Sequence, residues 1–246
     1  MAAPSQIVVG TAGWSIPRSS TADFAGAGTH LERYGRRLRG AEINSCFYRP
    51  HSPSTYAKWA AATPAGFRFA VKLSKTITHD LRLARAHAEL ERFLDETAGL
   101  GGKRGPILVQ LPPSFAFDAR VVGRFLTLLR ARHDGPVVWE PRHASWASAA
   151  ADALLSQHWV ARVAADPAPF PEAAVSGGWP GLVYYRLHGS PRTYWSSYDA
   201  LRLGACADAL RRVPPGAEAW CVFDNTASGA ALQNAVELDR LVRVPP

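Results

Sequence analysis

The stretch VYYRLH, residues 183–188, decides the fold, because apolar and aromatic residues alternate with charged ones toward its end. Six further short runs have a similar form: AEIN at 41–44, FAVK at 69–72, ILVQ at 107–110, VVWEPR at 137–142, VAAD at 163–166 and WCVFDN at 220–225. Side chains alternate between the two faces of a strand. We therefore expect one face of a sheet to carry nine polar residues: Glu42, Asn44, Lys72, Gln110, Glu140, Arg142, Asp166, Arg186 and His188.

Strands and helices alternate along the chain. The apolar runs predict strands near residues 6–11, 41–46, 67–73, 106–111, 137–142, 161–166, 182–188 and 219–224. Most connections between them are long enough for a helix, but the sixth, residues 167–181, has four prolines and three glycines and predicts an irregular loop. Eight such units in 246 residues predict an α/β protein, a single TIM-like (β/α)₈ barrel domain over residues 1–246.

An open, doubly wound sheet is the alternative fold. It would usually carry a glycine-rich turn after the first strand. The GTAGW stretch at residues 10–14 has only two glycines and is a weak dinucleotide signal, so the sequence identifies no cofactor.

Composition and charge restrict the location and the partners. With 47% hydrophobic and 20% charged residues, no apolar stretch near 18 residues and no signal-like N-terminus, we expect a cytoplasmic protein without membrane association. The net charge of +8 could attract phosphates, but only four of the 28 basic residues are lysines and the arginines are scattered. Nucleic acid is therefore a possible but not favoured partner, a small anionic ligand is expected, and the oligomeric state is not indicated.

The barrel prediction places the chemistry, because active sites in this fold collect at the C-terminal ends of the strands. Glu140 is the predicted acid or base, with Arg142 two residues later to hold it ionised. His79 or His188 would be its proton partner. Lys72 could act as a base or a Schiff-base amine, although nearby carboxylates favour an ammonium group that binds an anion.

A larger set is expected to contact the substrate. It comprises Glu42, Asn44, Tyr48, Gln110, Arg142, Asp166, Arg186, Asn225 and Thr226. The small residues from Asn225 to Ala231 leave backbone N–H groups at a helix start, where they could bind an anion or simply cap the helix.

A metal site is the competing interpretation of the same residues. His79, His143 and His188, with Glu42, Glu140, Asp166 and Asp224, could supply oxygen and nitrogen ligands. No local spacing such as HExxH supports it, and no metal ligand is predicted.

Six ordered motifs carry a family resemblance: AEINSCFYRPH at 41–51, ITHDLRL at 77–83, LVQLPPSF at 108–115, WEPRHASW at 139–146, YRLHG at 185–189 and FDNTASGAALQNA at 223–235. Together with GTAGW they resemble the family called domain of unknown function 72. The resemblance implies a TIM-like barrel and no established reaction. This chain departs from the family's usual adjacent asparagines near the end, because Asp224 precedes Asn225.

These observations favour acid–base chemistry on a small anionic or polyhydroxylated compound, phosphorylated compounds included, at the C-terminal face. The reaction type, hydrolase, lyase or isomerase, is not indicated, and neither is whether the protein is an enzyme at all. Two alternatives stay open: a metal-dependent hydrolase of phosphoesters or nucleic acid, and a non-catalytic barrel that binds a ligand or nucleic acid.

Overall fold

The computed structural model describes residues 6–243, apart from the side chain of Ser19. The predicted domain bounds, residues 1 and 246, lie outside this range. Within it, ten strands form one sheet in the order β7-β9-β10-β1-β2-β3-β4-β5-β6-β8. They are β1 (Gln6–Ala12), β2 (Gly40–Ile43), β3 (Arg68–Lys72), β4 (Arg104–Gln110), β5 (Val137–Glu140), β6 (Val160–Arg162), β7 (Ala164–Asp166), β8 (Gly177–Gly178), β9 (Leu182–Leu187) and β10 (Glu218–Phe223).

The sheet is nearly closed into a barrel through the segment that contains β6 and β7. β6 pairs with β5, whereas β7, one residue later in the chain, pairs with β9 at the other end of the sheet. All of these pairings are parallel, and the antiparallel β8 lies outside the ring beside β6. The predicted α/β barrel is therefore confirmed.

Helices surround the sheet. They are α1 (His30–Gly35), α2 (Ser45–Tyr48), α3 (Pro53–Ala61), α4 (His87–Thr97), α5 (Ala119–Arg130), α6 (Ala149–Gln157), α7 (Ala200–Arg211) and α8 (Ala230–Arg243). The sixth connection is irregular as predicted, with one 3₁₀ turn, Pro171–Ala174, and the two-residue β8. No helix in the described range is long and apolar enough to cross a membrane.

Helix α5 shows why these segments form the outer layer. The carboxylate of Asp118 accepts hydrogen bonds from the backbone N–H groups of Arg120 and Val121, which caps the helix start. Val122, Phe125, Leu126 and Leu129 are buried, at the three- and four-residue spacing that places side chains on one helical face. That face packs against the barrel.

The N-terminal end of the barrel interior is filled by apolar residues that include Val8 and Leu182, and Trp220 is the largest of these buried side chains. Its indole ring lies where a Cβ atom on Gly40 or Gly105 would approach it within 3.1 Å and 2.8 Å. Tyr184 stacks on the same indole, with ring centroids 5.9 Å apart. The two glycines therefore make room for an apolar floor, and polar side chains occupy the opposite end of the interior.

Strand β2 ends earlier than the sequence predicted. The expected strand at 41–46 stops at Ile43, and the short helix α2 follows at once. The thiol of Cys46 lies 3.3 Å from the carbonyl oxygen of Ile43 and 3.1 Å from that of Lys72, so it donates to backbone at both strand ends. These contacts favour a tight turn of the chain rather than a longer strand.

Candidate functional site

Arg186 on β9 lies at the centre of a buried charged cluster inside the barrel. Its Nη2 donates to Glu42 Oε1 at 2.6 Å and to Asp224 Oδ2 at 3.2 Å, and its Nε donates to Glu42 Oε2 at 3.0 Å. Its Nη1 donates to Glu140 Oε2 at 2.9 Å. Burial alone would lower the pKa of Arg186, but the three carboxylates hold it well above its usual value. The guanidinium is therefore a permanent charge that joins β2, β5, β9 and β10.

Glu140, at the end of β5, accepts hydrogen bonds from four side chains. Besides Arg186, its donors are Gln110 Nε2 at 2.9 Å, Arg142 Nη2 at 3.0 Å and His188, whose Nε2 lies 3.1 Å away. Burial would raise the pKa of this carboxyl, yet Arg186, His188 and Arg142 together hold it well below its usual value. Glu140 is thus a fixed, fully paired anion.

His188 bridges two carboxylates. Its Nδ1 lies 3.0 Å from Asp224 Oδ2 and its Nε2 lies 3.1 Å from Glu140 Oε1. Ionised carboxylates only accept hydrogen bonds, so both ring nitrogens must carry a proton to satisfy the two contacts. Burial lowers the pKa of His188, but the two carboxylates outweigh it and raise the pKa above its usual value. The ring is an imidazolium without a free nitrogen.

Lys72, at the end of β3, contrasts with these paired groups. Its side chain is only 9% exposed, yet no described residue accepts a hydrogen bond from its ammonium group. The Nζ atom instead lies 4.2 Å from the centre of the Phe47 ring. Burial and the nearby charge of Arg186 lower its pKa to about 8, although the cluster carboxylates oppose this shift. Lys72 can therefore gain or lose a proton near neutral pH.

The rim of the site beside Lys72 is formed by His79 and two aromatic rings. His79 packs edge-on against Phe47, with centroids 5.1 Å apart, and its Nδ1 lies 2.8 Å from Thr78 Oγ1. Burial and the charge of Lys72 lower the pKa of His79, so its imidazole is neutral at pH 7. Tyr48 also packs edge-on against Phe47, with centroids 5.0 Å apart, and is 80% exposed.

Three other predicted residues lie at the edges of this region. Asn44 has a buried side-chain oxygen with no hydrogen-bond partner among the described residues. Asn225 is buried, and its amide donates to the Ser196 carbonyl and to Asn234 Oδ1, so it anchors a loop. Thr226 is exposed and lines a separate cavity of about 250 Å³ at the start of α8.

Asp166 does not lie on the predicted face. In the register with β9, Asp166 is opposite Leu187, which packs in the outer apolar layer, and Ala165 is opposite Arg186. The carboxylate of Asp166 pairs instead with Arg202 on α7. The prediction that Asp166 shares the interior face with the cluster is wrong, because Ala165 holds the inward position in this strand.

Two members of the cluster are absent from the predicted site residues. Tyr184 donates its hydroxyl to Glu42 Oε2 at 2.8 Å, and Asp224 bonds Arg186 and His188. Tyr184 precedes Arg186 by two positions, and Asp224 follows Val222 by two, so strand alternation assigns both to the interior.

The balance of charge in the cluster is positive. With His188 doubly protonated and Lys72 as an ammonium, four cations face three carboxylates, those of Glu42, Glu140 and Asp224. Across residues 6–243, no group of three or more His, Cys, Asp or Glu side chains is placed to hold a metal ion. His143 lies apart, where its Nδ1 accepts a hydrogen bond from the backbone of Ser145. The arrangement suits an anionic ligand better than a cation.

Comparisons with known proteins agree on family and fold. The family model described as "Protein of unknown function DUF72" matches residues 8–245. Of the curated proteins, UPF0759 protein YecE of Escherichia coli K12 is 29% identical over 109 residues, which are 44% of this chain and 39% of that protein, so the match spans about two fifths of the relative's length.

Two solved structures of DUF72 family proteins share the fold. The one from Enterococcus faecalis V583 has a TM-score of 0.81 at 21% identity and covers 98% of this chain and 97% of its own. The one from Thermotoga maritima MSB8 has a TM-score of 0.76 at 22% identity and covers 97% of this chain and 100% of its own.

Proposed function

The chain belongs to the DUF72 family, whose description gives no reaction, and we propose from its site that it is an enzyme acting on a small anionic substrate. The substrate would bind at the C-terminal mouth of the barrel, on the side formed by β3 and β5. The reaction would use acid–base chemistry in which Lys72 exchanges a proton.

The observation that carries this proposal is the missing partner of Lys72. Every carboxylate in the cluster is already bound by Arg186, Arg142, His188 or a neutral donor, and no described residue bonds the Lys72 ammonium. The Nζ atom is not among the fully buried side-chain atoms without a partner, so the ammonium stays accessible at the mouth although the side chain as a whole is only 9% exposed. A bound anion would supply the missing partner.

Arg142 supports recognition of an anionic group. One nitrogen, Nη2, donates to Glu140, which fixes the guanidinium, and the side chain is still 26% exposed. A fixed guanidinium with free N–H groups suits a carboxylate or a phosphate.

His79 is the candidate proton partner of Lys72. His79 and the Nζ atom of Lys72 both contact the Phe47 ring, at 5.1 Å between ring centroids and 4.2 Å from Nζ to the centroid. Burial, followed by the charges of Lys72, Lys75 and Arg142, lowers the pKa of His79. A neutral imidazole can accept a proton from an ammonium or a substrate and return it later.

Glu140 and His188 take a different role from the one that the sequence suggested. Glu140 is saturated with donors and held ionised, and both nitrogens of His188 are occupied. We assign both as positioning residues, which hold Arg142 and Arg186 in place, rather than as the base and its proton partner.

The test is ligand retention followed by turnover. A metabolite extract is passed over immobilised wild-type protein, Lys72→Met and Lys75→Met, and retained compounds are identified by mass spectrometry and assayed for conversion. Lys75 is the matched control, because it lies three residues away, is half exposed and pairs with Asp80. We expect anionic compounds to be retained and converted by wild type and Lys75→Met but not by Lys72→Met. The same compounds on all three proteins would overturn the proposal.

A further inference from the structure

The cluster carboxylates do not hold the Lys72 amine, although four charged residues surround it. The carboxylate oxygens of Glu42, Glu140 and Asp224 already accept hydrogen bonds from other side chains, namely those of Arg186, Arg142, His188, Gln110 and Tyr184. A lysine that serves only to balance charge would donate to one of these carboxylates. The contact of Nζ is instead with the face of Phe47, an apolar wall that accepts no strong hydrogen bond.

This environment is the one that makes a lysine nucleophilic. A primary amine attacks carbonyl carbon only in its neutral form, and apolar walls and a neighbouring cation both favour that form. Burial supplies the apolar surroundings and Arg186 on β9 supplies the cation, and these two effects outweigh the cation–π contact with the face of Phe47, which favours the ammonium. Lys72 ends a barrel strand, so its amine is also fixed on a rigid element rather than on a loop.

We propose that the Lys72 amine forms an imine with a carbonyl substrate that carries an anionic group. This inference rests on the proposed function and specifies its substrate class: an aldehyde or ketone with a carboxylate or phosphate. The anionic end would bind the free N–H groups of Arg142, and the carbonyl carbon would approach Nζ.

The step balances without any additional reagent. The lone pair of Nζ bonds the carbonyl carbon, and the C=O π pair moves to oxygen. Starting from the Lys72 ammonium, His79 accepts one proton before the attack, the attacking nitrogen then passes a second proton to the new oxyanion to give a hydroxyl, and His79 returns its proton to that hydroxyl, which leaves as water while the nitrogen lone pair forms the C=N bond. The products are a protonated imine on Lys72 and one water molecule.

Because the chain has few lysines, an adduct on Lys72 can be distinguished from adducts on the others. The chain has four, Lys58, Lys72, Lys75 and Lys103. Lys103 is already bound, since its Nζ donates to the carbonyl oxygens of Ala60 and Thr63 at 2.6 Å. Imines are trapped by cyanoborohydride, whose hydride converts the imine into a stable secondary amine, and peptide mass spectrometry then locates the adduct.

Three probes distinguish the anionic group. Pyruvate carries a carboxylate, glyceraldehyde 3-phosphate carries a phosphate, and glyceraldehyde is the neutral control. We expect at least one anionic probe to modify Lys72 about tenfold or more over the other lysines at pH 7, because each unit of pKa changes the neutral amine fraction tenfold. The pyruvate adduct would add the mass of pyruvic acid less one oxygen atom.

The imine proposal would be overturned if neither anionic probe modified Lys72. It would also be overturned if Lys72 were modified to the same extent in folded and in urea-unfolded protein. Lys72→Arg separates this failure from failure of the proposed function. Retention of anionic metabolites by Lys72→Arg without an adduct at Lys72 in wild type would leave an anion-binding ammonium and reject the nucleophile. Loss of conversion in Lys72→Arg, together with a trapped adduct in wild type, is the result we expect.

Discussion

The two halves of the barrel mouth differ in how their charges are satisfied. On the side of β2, β9 and β10, Arg186 binds Glu42 and Asp224, and His188 closes the network. On the side of β3, Lys72 is 9% exposed, against 0% for Arg186, and has an aromatic ring in place of a carboxylate. The paired half resembles a rigid support, whereas the unpaired half retains a group whose charge can change.

The comparison indicates that the part of the cluster with the most ion pairs need not contain the reactive group. Glu140 accepts hydrogen bonds from four side chains and His188 bridges two carboxylates, and these bonds fix their protonation. Lys72 has the fewest polar contacts of the cluster's described members and a pKa of about 8. We expect substitutions in the paired half to reduce stability and substitutions in the unpaired half to reduce function.

The largest effect is expected from Arg186→Met in the paired half. Three buried carboxylates would lose their shared cation, and breaking a buried pair in this way costs about 3–5 kcal/mol of unfolding free energy. Urea denaturation measures the change. Arg202→Met is the matched control, because the Arg202 side chain is 59% exposed and pairs with Asp166 outside the barrel, where such pairs contribute about 1 kcal/mol or less.

Equal losses in the two variants would contradict the account. Because Arg186→Met could fail to fold, Arg186→Lys provides a second measurement. Lysine restores the positive charge but not the planar guanidinium with its several N–H donors, so we expect it to recover only part of the lost stability.

The pH dependence of stability tests the unpaired half. The pKa of Lys72 is about 8 in the folded protein and 10.5 as a model amine, so the folded state releases this proton first as the pH rises. A lowered lysine pKa therefore destabilises the protein below pH 8, and the penalty disappears as the pH rises through 10.5. The full effect is on the order of 3 kcal/mol, since one unit corresponds to about 1.4 kcal/mol.

The measurement is the unfolding free energy of wild type minus that of Lys72→Met at each pH. This difference should become more positive as the pH rises from about 8 to 10.5. Arg186, Glu140 and Asp224 act on Lys72 from β9, β5 and the end of β10, and the raised pKa of Arg186 and the lowered pKa values of the two carboxyls keep all three charged over the whole interval. Groups distant from Lys72 titrate equally in both proteins and cancel, whereas His79, Cys46 and Asp224, whose pKa values the Lys72 charge lowers, contribute to the difference. A flat difference would contradict the lowered pKa.

Glu140→Gln should give a smaller loss of stability, about 2 kcal/mol, because a neutral amide cannot satisfy Arg186, Arg142 and His188 as an anion does. We expect conversion of substrate to persist at a reduced level. The KM should be higher, because Arg142 loses the contact that holds it in place. Complete loss of kcat with an unchanged KM would show instead that Glu140 acts on the substrate.

The smallest effect is expected from Asp166→Asn. Its carboxylate contacts Arg202 on the outside of the barrel, so unfolding free energy should change by about 0.5 kcal/mol or less and ligand retention should not change. Loss of retention in Asp166→Asn would show that the site extends beyond the mouth.

Much of this architecture follows from local sequence. The runs FAVK and ILVQ predict β3 and β4 within two residues at each end, because β-branched residues favour strands and flanking glycines and prolines end them. Alternation places Lys72 and Gln110 inside the barrel. It fails for Asp166, because the chain there changes its pairing partner from β5 to β9 within one short segment.

The pairing of charges could not be predicted from sequence. Glu42 and Arg186 are 144 positions apart, and their contact depends on the width of the closed barrel. The same holds for Lys72, since only the three-dimensional arrangement shows that nearby carboxylates are already bound by other residues. The sequence therefore identified most of the cluster, and its assignment of Glu140 as acid or base stays a prediction beside the role that we propose for Lys72.

Competitive labelling of the four lysines across pH tests the central claim most directly. Trace acetic anhydride modifies each amine in proportion to its neutral fraction, and peptide mass spectrometry follows each lysine separately, with Lys72→Met to confirm the assigned peptide. The account predicts that the reactivity of Lys72 rises with a midpoint near pH 8. A midpoint at or above 10.5 would show an ordinary ammonium and contradict the claim that this half of the mouth holds the reactive group.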